Sequence, residues 1–89
     1  MQTVVLIEEE NHGMIGVAKD YPSAIDFLID SDWLDGKCEL YEGDGIYKTI
    51  EEKLGENWKE EILSWDTEQF GEFFDGSFYL TIEEVYGAE

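Results

Sequence analysis

The sequence predicts an α+β domain, a small antiparallel sheet (a hairpin plus two further strands) with helices packed on one face. Three observations carry this. Apolar runs at residues 3–7 and 14–18 are separated by Asn11-His12-Gly13, which is turn chemistry. Ala24, Ile25, Leu28 and Ile29 follow at helical spacing. The second half then strings several helix starts together before a last aromatic run, Ser77-Phe78-Tyr79-Leu80-Thr81.

Thr3-Val4-Val5-Leu6-Ile7 is β-branched and apolar on both faces, so the first strand is expected to be central or covered on both sides. Gly16 in the returning strand signals a bulge or a close backbone approach. Asp20-Tyr21-Pro22 opens a helix, with proline in the first turn. Ala24, Ile25, Leu28, Ile29 and Trp33 form its buried stripe, while Asp26 and Asp30 sit four apart on the other face. That helix ends before Asp35-Gly36. Lys37-Cys38-Glu39-Leu40-Tyr41-Glu42 alternates as a third strand, closed by Gly43-Asp44-Gly45.

Thr49-Ile50-Glu51-Glu52 is a capping-box pattern, and Gly55 ends that helix early. Asn57 begins another, turning Trp58, Ile62 and Trp65 inward. Asp66-Thr67 starts a third that runs through Phe70, Phe73 and Phe74 and stops at Asp75-Gly76. Residues 77–81 form the last strand. Thr81-Ile82-Glu83-Glu84 then repeats the capping box, so a final helical turn is expected. Whether the last strand pairs beside the first is left open.

Charge is the dominant compositional fact. Twenty-three acidic residues stand against five lysines and no arginine, a formal net charge of −18 in 89 residues. Such acidity often marks disorder, but 43% hydrophobic and 15% aromatic residues supply a core, so residues 1–89 are expected to fold as a single globular domain. The lone Cys38 can form no internal disulfide. Residues 1–7 are too short for a leader and are followed by Glu8-Glu9-Glu10, and no apolar run approaches a membrane span. A reducing, cytoplasmic setting is expected.

Enzymatic and cofactor chemistry finds little support. His12 is the only histidine and falls in a turn, and Cys38 reads as a small core residue rather than a nucleophile. No His/Cys cluster indicates zinc, and no glycine-rich loop leads from a strand into a helix to cradle phosphate. The stretch Asp30-Ser31-Asp32-Trp33-Leu34-Asp35-Gly36 has the look of a Ca²⁺ loop. Setting Gly36 at the loop's sixth position puts Ser31 and Trp33 where acids are needed, and Trp33 cannot ligate. No catalytic residue, metal or cofactor is expected. Direct nucleic-acid binding is disfavoured, because the five lysines are dispersed and outnumbered.

The field itself is the functional clue. Acids at helix starts have a structural role against the helix dipole. The rest must sit in solvent, where they repel nucleic acid and anionic membranes and attract basic protein surfaces. Carboxylates spaced along a folded surface can imitate a duplex, which carries about one charge per 1.7 Å of axis. The residues expected to meet such a partner are Asp26, Asp30, Asp32 and Asp35 around the first helix. Glu56, Glu60, Glu61, Asp66, Glu68 and Glu72 are expected to do so in the broken helical region. The competing expectation is an accessory or structural protein whose acidity serves solubility alone, as a halophilic origin would also produce.

The stretch Glu9-Glu10-Asn11-His12-Gly13-Met14-Ile15-Gly16-Val17-Ala18, with the acidic, Trp-rich remainder, resembles the small orphan proteins of bacteriophages and conjugative elements. The resemblance implies cytoplasmic expression. It also implies inhibition of a host nuclease, a restriction or CRISPR effector, or a host DNA-binding protein. It assigns no site residues.

Overall fold

The computed structural model describes residues 2–85. Strand β1 (Gln2–Glu9) turns at Asn11-His12 into β2 (Gly13–Ala18), and β5 (Phe78–Val85) pairs antiparallel on the other side of β1. The order β2-β1-β5 makes β1 the central strand. Val5, Ile7, Phe78 and Leu80 are buried on one face, under the helices.

Helix α1 (Tyr21–Asp30) starts where expected. Asp20 is its N-cap, with Oδ1 accepting from the Ser23 amide at 2.9 Å, and Pro22 lies in the first turn. Ala24, Ile25 and Leu28 bury its inner stripe. The chain then loops back so that Leu34 is also fully buried, with its amide bonded to the Leu28 carbonyl at 3.0 Å. Gly16 is both things the sequence indicated. It flanks a bulge between β1 and β2, and a Cβ on it would lie 2.7 Å from the Phe27 ring of α1.

The third strand is not in the main sheet. β3 (Glu39–Gly43) pairs with β4 (Ile46–Thr49) in a hairpin of its own. β4 was not foreseen, although Asp44-Gly45, with φ of 53° and 76°, is a strong two-residue hairpin turn. The short run 46–48 was overshadowed by the helix start that follows it.

That start, α2 (Ile50–Leu54), has the full reciprocal capping box between Thr49 and Glu52. Ile50 drops into the core with no exposure. α3 (Trp58–Leu63) buries Trp58 and Ile62, and α4 (Thr67–Phe74) is capped by Asp66 and Gln69 in a second capping box. α4 packs on β5, and α1 packs on β2 and α3. Trp33 and Trp65 lie half-buried at the core margin, so of the three tryptophans Trp58 alone belongs to the buried core.

One further expectation is corrected. Thr81-Ile82-Glu83-Glu84 does not start a helix; β5 runs through it, with Thr81 opposite Leu6 and Glu84 opposite Thr3. The ladder with β1 satisfies these backbone groups, which a helical turn would have taken from β1. The tail beyond residue 85 lies outside the described residues. Strand β1 is central, the first of the two alternatives its sequence indicated, and the helices cover only one of its faces.

Tyr21 ties α1 to α3 through a 2.6 Å hydrogen bond from its hydroxyl to the Ile62 carbonyl. Burial, followed by the charge of Asp66, pushes its phenol well above the usual range. The neutral form is favoured in the fold. Tyr21 therefore contributes stability that is full below the unfolded value of about 10 and is lost as pH rises beyond it. Tyr21→Phe is expected to cost about 1 kcal/mol at neutral pH and to flatten the alkaline limb of a pH–stability curve. Unfolding titrations of both proteins test this; parallel alkaline limbs would overturn it.

Candidate functional site

Each of the ten acids singled out in the sequence is exposed: Asp26, Asp30, Asp32, Asp35, Glu56, Glu60, Glu61, Asp66, Glu68 and Glu72. They come to the surface by different routes. Asp26 and Asp30 lie one turn apart on the outer stripe of α1, as Glu68 and Glu72 do on α4. Glu60 and Glu61 project from the first turns of α3, and Glu56 sits in the link before it. Asp32 is held with φ at 61° in the loop after α1.

Some of these carboxylates already have local work. Asp66 Oδ1 accepts from the Gln69 amide at 2.9 Å, and Asp35 Oδ1 from the Lys37 amide at 2.8 Å. Asp32 and Asp35 also border an open concavity of about 500 Å³ that Lys37 and Lys59 share, so their field is blunted there. None of the ten takes part in an ion pair among the described residues, where the pairs are Lys53–Glu42 and His12–Glu9. Helical spacing brings Asp26 together with Asp30 and Glu68 together with Glu72. The α1 loop acids stand with lysines instead.

A second cleft, of about 430 Å³, lies among the β3–β4 hairpin, α4 and the start of β5. Glu10, Glu42, Glu72 and Asp75 line it beside Phe73. Lys53 fills part of it, with Nζ 2.7 Å from Glu42 Oε2 and 4.9 Å from the Phe73 ring centroid. The chain's own ammonium thus sits between a carboxylate and an aromatic face.

His12 is exposed in its turn, with Nδ1 2.6 Å from Glu9 Oε1 and its ring edge-on to Trp33 at 5.1 Å. Hydrogen bonding to His12 lowers the Glu9 carboxyl below its ordinary range. Cys38 is half-buried against the core, and burial, then Asp35 and Glu39, push its thiol up. A raised thiol is a poor nucleophile. Native Cys38 is accordingly expected to react with a disulfide reagent at mildly alkaline pH more slowly than in denaturant. Equal rates in the two states would show that the thiol is not shielded. Among the described residues no cluster of three or more His, Cys, Asp or Glu side chains is placed to hold a metal ion. No helix there is long and apolar enough to cross a membrane.

Sequence reasoning missed the exposed apolar positions. Met14, Val17, Tyr79 and Ile82 lie on the sheet and Tyr41, Ile46 and Tyr47 on the second hairpin, each more than half exposed. Tyr41 and Tyr47 face each other across that hairpin with ring centroids 5.2 Å apart. The signal was present in residues 3–7, whose two apolar faces cannot both be covered by helices on one side.

No family model matches the chain, and neither a curated protein nor a solved structure matches it.

Proposed function

We propose that this protein is a non-enzymatic binding module whose carboxylates imitate nucleic acid toward a basic protein surface. The targets that fit are DNA- or RNA-binding proteins, such as restriction or CRISPR effectors, which the module would inhibit by occupying the groove meant for phosphates. The observation that carries this reading is the pairing of a −18 net charge with ten exposed carboxylates, none of which takes part in an ion pair among the described residues. A fold tolerates that self-repulsion at a cost in stability, and solubility alone asks for far less. Counterions released from the partner's groove would drive binding and make it strongly salt-dependent. The same field keeps the module off DNA and anionic membranes.

The test is capture of partners by the tagged protein from a nuclease-treated bacterial lysate, followed by elution in rising salt. The expected result is a DNA-binding protein that leaves with salt and is displaced by added duplex DNA. A partner indifferent to both salt and DNA would overturn mimicry, and the acidity would then serve solubility.

A further inference from the structure

We infer that the uncovered face of the β2-β1-β5 sheet is a second contact surface, docking a basic protein whose apolar layer carries a lysine or arginine that reaches Glu8. This rests on the reading above that the partner is basic, and adds where its apolar contact lies. Residues directly opposite in an antiparallel ladder share a face. Val5, Ile7, Phe78 and Leu80 point to the helices. The alternate set therefore points away: Val4, Leu6 and Glu8 on β1, with Glu83, Thr81 and Tyr79 opposite them on β5. On β2, Val17 lies opposite Leu6 and Met14 opposite Glu8. Met14 and Val17 are three apart and would normally face opposite ways; the bulge between Ile7 and Glu8 brings them to one side.

Five apolar side chains thus line a face that an ordinary one-sided sheet gives to polar residues. Met14, Val17 and Tyr79 are 55, 54 and 51% exposed. Val4 and Leu6 are half-buried and lie outside the set packed on the core among the described residues. The central strand has the sequence of one buried on both sides, and this chain buries only one.

Charge complementarity decides the occupant. Glu8 stands in the middle row, flanked by Met14 and Tyr79. A wholly apolar cover would strip water from its carboxylate and give nothing back. A second copy would set two chains of −18 face to face and bring Glu8 and Glu83 against acids of the same patch. A basic partner answers both objections. The stem of its lysine or arginine packs on Met14 and Tyr79 while the cationic end pairs with Glu8.

The probe is a short synthetic peptide of alternating leucine and lysine. Its affinity is read by fluorescence anisotropy and its site by amide shifts in NMR spectra. The variant is Met14→Thr/Val17→Thr/Tyr79→Thr, which changes only exposed side chains and keeps good strand formers. The expected result is shifts on β1, β2 and β5, affinity reduced about tenfold or more in the triple variant, and a smaller loss in Glu8→Gln. Polylysine, which has no apolar layer, should bind both proteins alike. Unchanged affinity in the triple variant, with shifts along α1, α3 and α4, would overturn the sheet surface and leave nucleic-acid mimicry standing. An alternating leucine and glutamate peptide binding the sheet equally well would overturn the basic partner instead. A wild-type dimer tightened by Glu8→Gln would replace the basic partner with a second copy. Absence of binding by any peptide would overturn the proposal.

Discussion

Phe70→Ala is expected to lower the unfolding free energy by about 3–5 kcal/mol and the melting temperature by roughly 15–30 °C. Phe70 has no solvent exposure and sits at the centre of an aromatic cluster. Phe74, Tyr21 and Phe78 lie 4.4, 6.3 and 6.5 Å from it, centroid to centroid, on α4, α1 and β5. Truncation leaves a cavity among rings anchored to three separate elements, which collapse cannot easily fill. The total stability of such a domain is about 5–15 kcal/mol, and self-repulsion of the surface acids puts this one toward the lower end. Phe73→Ala, at a half-buried site on the margin of the same cluster, is the control and should cost much less. Urea unfolding of the three proteins at low and high salt tests the account. Added salt should raise all three curves by relieving repulsion while the Phe70 deficit persists. A deficit below about 1 kcal/mol, no more than an ordinary surface change, would mean that the core is centred elsewhere.

Charge reversal at Glu60, Glu61 and Glu68 is expected to weaken binding to the captured basic partner by about a thousandfold, near an order of magnitude per close charge pair. Each Glu→Lys change adds two charges, so the three take the formal −18 to −12. All three side chains are exposed and outside ion pairs among the described residues. Stability should therefore stay level or rise, because repulsion falls while no packing is lost. That separation of affinity from stability is the signature of a charged contact surface. Affinity that survives the triple reversal, in a variant that still folds, would remove these helices from the interface.

Acid should act on the fold through specific groups as well as through the general field. Hydrogen bonds at helix or turn starts hold Glu9, Asp20 and Glu52 below their ordinary carboxyl range. The stability these groups contribute is present above the unfolded carboxyl range and is lost as pH falls through their lowered values. Protonation of the unpaired acids acts oppositely by relieving repulsion, so the acid limb reflects both effects.

Most of the local architecture was legible in the residues. Asp20-Tyr21-Pro22, Thr49-Ile50-Glu51-Glu52 and Asp66 with Gln69 carry their own capping hydrogen bonds, which act within four residues and need no distant partner. The ten acids were legible as surface because a carboxylate without a cation cannot afford burial. What could not be read was pairing. From the sequence alone β5 is unplaced, β3 joins the main sheet and residues 46–49 are assigned no strand, since a local turn can mark a hairpin but the pairing of distant strands is chosen by registers that local pattern does not encode. The bare sheet face was hidden for the same reason: Val4, Leu6, Met14 and Val17 are ordinary core residues until the layers are assembled and one layer is missing.

One tetrapeptide shows where the division falls. Thr-Ile-Glu-Glu occurs at residues 49–52 and again at 81–84. At the first, Ile50 finds the core with no exposure, and the capping box closes a helix. At the second, Ile82 lies opposite Val5, stays 58% exposed, and the same residues run as a strand. By itself the sequence determined the charge, the caps and the helical stripes, because these depend on neighbours along the chain. The tertiary structure alone decided which of two identical segments would be helix and which face of β1 would stay bare. Those outcomes depend on whether a ladder partner or a buried pocket waits at that point in space.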